Sequence, residues 1–128
     1  MSEQIQEKVK EVFCKFFHDY DMSTISINHS MEDFEPEHFE YVRIAFALED
    51  AFEFRISSQK LFPSLSGELL KRENYVDANK LTRKVATKLT RLYPHVDWNK
   101  FGKDARVERI PSYETIESVV NFVEKIRK

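Results

Sequence analysis

The chain has a single cysteine, Cys14, so no disulfide can close within it. A lone thiol suits a reducing compartment. Glycine occurs twice and proline four times among 128 residues. All-β folds spend many such residues on turns, so their scarcity argues against strand-rich architectures. It also leaves no glycine-rich loop to cradle a phosphate. No apolar run reaches the length of a membrane span. The opening Met-Ser-Glu-Gln has neither the basic nor the apolar region of a signal peptide. The expectation is one soluble, cytoplasmic, monomeric domain over residues 1–128, without linkers or repeats.

Catalytic signatures are missing as well. The four histidines are His18, His29, His38 and His95, and no two stand four residues apart. None has a second histidine, and the lone cysteine has no second cysteine, at zinc-finger spacing. No nucleophile elbow is present. The reading is a protein that is not an enzyme and holds no metal and no resident cofactor.

Charge and phenylalanine are abundant. Eleven phenylalanines are enough to fill the core of a small helical bundle. Charged residues make up 33% of the chain, and they are segregated: residues 1–54 carry a net −9, residues 55–109 a net +7, and residues 110–128 none. Such segregation implies either two partners or two halves that attract each other. In so short a chain internal complementarity is the simpler expectation.

The apolar spacing predicts helices. Ile5, Val9, Val12, Phe13, Phe16 and Phe17 follow a 3.6-residue period over residues 3–18, with Ser2 as a cap. Residues 19–35 read as a long loop pinned by Ile25, Ile27 and Phe34. A second helix should open near Pro36, where a missing N–H costs nothing, and end near Glu53. Its Phe39, Val42, Ala45, Phe46, Leu48 and Phe52 form an apolar surface wide enough to contact several neighbours. Residues 57–76 read as irregular, with one short helix over 68–72. Asp77 is a cap candidate for a long helix carrying Leu81, Val85, Leu89 and Leu92, stopped by Pro94. Residues 97–102 form a turn that docks Trp98 and Phe101. Pro111 and Ser112 open a last helix with Tyr113, Ile116, Val119, Val120, Val123 and Ile126 inward.

Lys80, Lys84, Lys88 and Arg91 form a basic stripe on the long inserted helix. No aromatic residues interleave with it as a base-stacking platform requires. Nucleic acid and anionic membrane are therefore not the expected partners. Cys14, set among Phe13, Phe16 and Phe17, reads as a buried structural thiol.

Residues 30–56, Ser-Met-Glu-Asp-Phe-Glu-Pro-Glu-His-Phe-Glu-Tyr-Val-Arg-Ile-Ala-Phe-Ala-Leu-Glu-Asp-Ala-Phe-Glu-Phe-Arg-Ile, resemble the second helix of the acyl and peptidyl carrier proteins. Val42, Ile44, Ala47, Leu48, Glu49 and Phe52 fall where that family keeps its helix-two pattern. Ile5–Phe17 and Pro111–Ile126 are compatible with the family's first and last helices, and together these segments cover somewhat over half the chain. The resemblance implies an all-α, acyl-carrier-like four-helix bundle with an inserted helical segment over about 58–109. The family begins its helix two with Asp-Ser-Leu, and the serine carries phosphopantetheine. Glu37, His38 and Phe39 stand there in this chain. An imidazole cannot form the stable phosphodiester that a serine hydroxyl forms. Glu35 also stands where the family keeps a glycine. Ser26, Ser30, Ser57 and Ser58 lie outside the motif.

The resemblance thus implies the fold and a class of partner, without the prosthetic group. The expected partner is a basic surface of an enzyme of acyl or related metabolism, met by Glu35, Glu37, His38, Glu40, Arg43, Glu49 and Asp50. One-signed patches of this kind speed encounter and select partners. His38 is then either a plain solvent-facing residue or a pH-sensitive contact, since histidine titrates near neutrality. The alternative is a working carrier whose phosphopantetheine sits at a non-standard residue.

Overall fold

A computed structural model of the chain describes residues 2–71, 75, 80–99, 101 and 105–126. These residues form α1 (Ser2–Phe16), α2 (Met31–Phe34), α3 (His38–Phe52), α4 (Ser58–Leu61), α5 (Arg83–Leu92), α6 (Ile110–Tyr113) and α7 (Ile116–Ile126). Short 3-10 turns occupy Pro63–Leu65, Gly67–Leu70 and Val107–Arg109. No strand forms among the described residues beyond three isolated bridges. The all-α expectation holds.

α1 packs against both α3 and α7. The inward stripe of α1, Ile5, Val9, Val12 and Phe13, is the one its periodicity predicts. It meets Ile44, Ala45 and Leu48 of α3 and Val119, Val120 and Val123 of α7 in one apolar cluster. Full burial of each such side chain contributes about 2 kcal/mol. α1 already includes Ser2, so Ser2 is not its cap, and the helix ends at Phe16 rather than His18.

The long loop after α1 is held by rings. Phe17 stacks on Phe34 at 4.6 Å, and Tyr20 meets Phe34 edge-on at 5.0 Å. Ile25 is buried beneath the loop. The loop is not wholly irregular, because Met31–Phe34 makes one helical turn. The Asp33 carboxylate secures its start by accepting from the Ser30 N–H at 2.9 Å. Residues 27–31 then run beside the start of α7. The Met31 N–H donates to the Glu114 carbonyl, Ile116 N–H to His29, and Glu117 N–H to Ile27, at 2.9–3.0 Å.

The stretch between α4 and α7 builds a second apolar cluster of its own. Leu81, Val85, Leu89, Tyr93, Val96, Trp98, Phe101 and Ile110 form its buried set. Trp98 and Phe101 dock there as expected, 4.9 Å apart edge-on. Three hydrogen bonds fasten this region. The Trp98 Nε1–H donates to the Tyr93 carbonyl at 2.9 Å, and the Tyr93 hydroxyl donates to the Gln59 carbonyl at 2.6 Å. His95 lies at 2.8 Å from the Leu61 carbonyl. A carbonyl only accepts, so Nε2 carries the proton.

Several boundaries differ from the sequence reading. α5 is ten residues long and is capped by Thr82, whose hydroxyl accepts from the Val85 N–H at 3.3 Å. Asp77, the expected cap, lies outside the described residues. Lys80 and Leu81 precede the helix, although Leu81 is buried. Residues 57–71 are more regular than expected: α4 and a 3-10 turn at Pro63–Leu65 come first, and the short helix expected over 68–72 meets a 3-10 turn at Gly67–Leu70. Arg72 lies outside the described residues. The last helix is broken in two: α6 ends at Tyr113, Glu114 adopts φ −86° and ψ 74°, and α7 restarts at Ile116.

Candidate functional site

α3 supplies the candidate surface, and its local sequence explains its placement. Pro36 precedes the helix and Glu37 caps it, so His38 is the first helical residue. The Glu40 carboxylate accepts from the Glu37 N–H at 2.8 Å, which steadies the entry turn. His38 is exposed, as is Glu37. Glu35 is exposed too and closes α2 with φ 49°. That left-handed conformation is one glycine adopts at no steric cost, and a glutamate holds it here.

The inner face of α3 is Tyr41, Ile44, Ala45, Leu48 and Phe52. The wide apolar surface expected from sequence is therefore divided. Phe39 is 56% exposed and Phe46 is 60% exposed, so both rings face outward. They stand seven residues apart on one side of the helix. Arg43 lies between them in sequence, and its guanidinium sits 5.9 Å from the centre of the Phe16 ring. Asp50 and Glu53 are exposed at the far end. The outward face is thus two aromatic rings with acids at both ends.

The expected contact residues do not all serve this face. Glu35, Glu37, His38, Arg43 and Asp50 are exposed, and Glu40 is half-buried. Glu49 is committed elsewhere: its carboxylate accepts from the Ile56 N–H at 2.7 Å and fixes the chain as it leaves the helix. Beside Phe46 an open groove of about 570 Å³ runs between α3, α7 and residues 55–60. Val42, Phe46, Phe122 and Ile126 give it apolar walls, and Arg55 and Lys60 lie at its edge.

Of the serines near the motif, Ser30 is buried at 6% exposure at the start of α2. Ser26 and Ser58 are half-buried, and Ser57 is exposed just before α4. None stands at the first turn of α3.

Sequence reasoning missed a second constellation. Glu114 is 1% exposed. Its carboxylate accepts three hydrogen bonds: from the Tyr41 hydroxyl at 3.0 Å, the Ser64 hydroxyl at 2.7 Å and the Ser64 N–H at 2.9 Å. Burial pushes its pKa from 4.5 up to about 7, against the opposing pull of the Ser64 and Tyr41 donors. Burial and the nearby Glu114 charge hold the Tyr41 phenol well above its ordinary value. The turn at 114 leaves the carboxyl inward, and the Thr115 hydroxyl accepts from the Ser118 N–H at 3.1 Å as α7 restarts. The arrangement ties α3, the Pro63–Leu65 turn and the C-terminal segment together.

Other titratable groups have structural surroundings. Cys14 is half-buried rather than buried, and burial, then Asp21 and Glu11, raise its thiol pKa. Such a thiol is a poor nucleophile near neutral pH. Burial lowers the pKa of His95, which keeps the imidazole neutral. No cluster of three or more metal-ligating side chains occurs among the described residues. No helix among them is long and apolar enough to cross a membrane. Comparison with protein-family models, curated proteins and solved structures finds no match to this chain.

Proposed function

We propose that the chain is a carrier-like protein-interaction module that docks a basic surface of an enzyme of acyl or related metabolism through the outward face of α3. The observation that carries this reading is the face itself. Phe39 and Phe46 are more than half exposed on a helix whose opposite side packs into the core. Single exposed apolar residues are ordinary, but two rings on one face with acids at both ends make a surface suited to recognition. The acids steer a basic partner and the rings supply contact area once it arrives. The acyl-metabolism part rests on the likeness of residues 30–56 to the carrier helix. On this reading the module carries no phosphopantetheine, because His38 stands where the arm would attach.

Two measurements test the proposal. Intact mass after co-expression with a broad phosphopantetheinyl transferase should show the unmodified chain. An adduct mapped to one serine would instead make this a working carrier. A photo-crosslinking residue at position 46 should capture an acyl-metabolism enzyme through a lysine- and arginine-rich surface. The same residue at the exposed Gln4 of α1 should not. Equal capture from both positions would remove α3 from the docking role.

A further inference from the structure

Among the described residues two faces of opposite charge leave each other unpaired. Among the described residues the ion pair joining the acidic first part to the basic middle is Glu32–Arg109, at 3.5 Å between exposed groups. It touches neither α3 nor α5. Glu37 and Asp50 on the α3 face pair with no cation among these residues, and Lys84, Lys88 and Arg91 on α5 pair with no acid. Internal complementarity, the simpler expectation from sequence, therefore does not use up these two faces.

The faces share a design. On α3, Phe39 and Phe46 lie between acids. On α5, Lys84 and Arg91 are exposed and Lys88 is half-buried, with Leu92 beside them at 56% exposure. Phe39 to Phe46 and Lys84 to Arg91 each span seven residues, about 10 Å of helix. Each face sets exposed apolar surface among charges that are mostly acidic on α3, Arg43 apart, and basic on α5.

We infer that α3 of one copy docks on α5 of a second copy of this chain, head to tail. The inference rests on α3 being a docking face, as proposed above, and names a different occupant for it. The two surfaces differ, so the contact is heterologous and each added copy still offers one free face. Single helix faces bury far less than the roughly 1,600 Å² of a standard interface. The association is accordingly weak, concentration-dependent and screened by salt.

Two surface variants test it. One removes the acidic face with Phe39→Ser, Phe46→Ser and Asp50→Lys. The other reverses the basic face with Lys84→Glu, Lys88→Glu and Arg91→Glu. Circular dichroism checks that both keep their helices. In sedimentation velocity at about 20 mM salt the wild-type chain should sediment faster as its concentration rises, and the effect should vanish near 0.5 M salt. Each variant alone should associate at least about tenfold more weakly. Mixed in equal amounts, they should form a pair and nothing larger, because each retains one intact face. A wild-type chain that stays monomeric at about 1 mM overturns the inference, as do mixed variants that remain separate.

The same samples are titrated with a synthetic leucine–lysine amphipathic helix. Peptide binding by a wild-type chain that stays monomeric overturns the second-copy assignment and leaves α3 a docking face. Failure of both peptide binding and self-association removes α3 from docking altogether.

Discussion

The Tyr41 hydroxyl donates to the Glu114 carboxylate across 3.0 Å, joining residues 73 positions apart in the chain. With Ser64 it leaves the buried carboxyl satisfied in either protonation state, because both hydroxyls can donate or accept. The folded pKa of about 7 lies above the ordinary 4.5. Folding therefore takes up a proton between these values. The contribution of Glu114 is fully present below about pH 4.5, falls as pH rises, and levels off above about 7. The shift corresponds to about 3 kcal/mol. Glu114→Gln keeps a neutral, hydrogen-bonding group in place. Its unfolding free energy should lack this decline, so it should exceed wild type at pH 8 and converge on it near pH 5 in urea titrations. Glu114→Ala strands the Tyr41 and Ser64 donors and should cost about 2–4 kcal/mol near pH 5, and clearly less at pH 8, where wild type has lost the Glu114 contribution.

His95 should act in the opposite sense. Its ring is buried against Phe122 at 5.0 Å and donates to the Leu61 carbonyl, and burial lowers its pKa below 6.5. The unfolded chain takes up a proton as pH falls through 6.5, while the folded chain resists. Its stability contribution is present above 6.5 and is lost on acidification. In wild type this loss is masked by the gain from Glu114. In the Glu114→Gln background it should emerge as a decline in thermal midpoint below about pH 6.5, and His95→Gln should flatten it. A Glu114→Gln chain whose midpoint is flat from pH 7 to 5 would contradict this account of His95.

Local pattern made some of this legible and not the rest. The period-3.6 stripes identified α1, α3 and α7, because Val9, Val12, Ala45, Leu48, Val119 and Val123 repeat at helical spacing. The same pattern assigned Phe39 and Phe46 inward, since hydropathy alone does not distinguish them from Leu48. Which part of an over-wide apolar surface is covered depends on where α1 and α7 lie, and that is a tertiary property. Glu114 gave no signal at all. Its partners are 50 and 73 residues away. In sequence it reads as one more charge near a helix start. α5 opens at Thr82, a start that the apolar spacing of Leu81, Val85 and Leu89 does not locate. The exposure of Glu37 and His38 was easier to anticipate, because charged and polar side chains are mostly exposed.

Glu53 offers a test of backbone strain. It ends α3 with φ 59° and donates its N–H to the Glu49 carbonyl at 2.8 Å. A left-handed conformation costs a residue with a Cβ about 1 kcal/mol, which glycine avoids. Glycine also gains freedom in the unfolded chain, which offsets part of that saving. Glu53→Gly should therefore be neutral to stabilising, by up to about 1 kcal/mol, in chemical denaturation. Glu53→Val, with a branched Cβ in the same conformation, should destabilise.

Phe46 and Leu48 are two residues apart on α3, yet their substitution should read out different properties. Leu48 is fully buried and Phe46 is 60% exposed. Leu48→Ala removes core contacts and leaves a cavity, costing about 2–5 kcal/mol. Phe46→Ser removes little that the fold uses, so stability should shift by no more than about 0.5 kcal/mol. Its effect should appear instead as lower retention on a hydrophobic-interaction column and weaker docking. A Phe46→Ser chain destabilised as much as Leu48→Ala would mean that the ring is packed inward in solution. The outward face of α3 would then lose the aromatic centre on which the proposed docking rests.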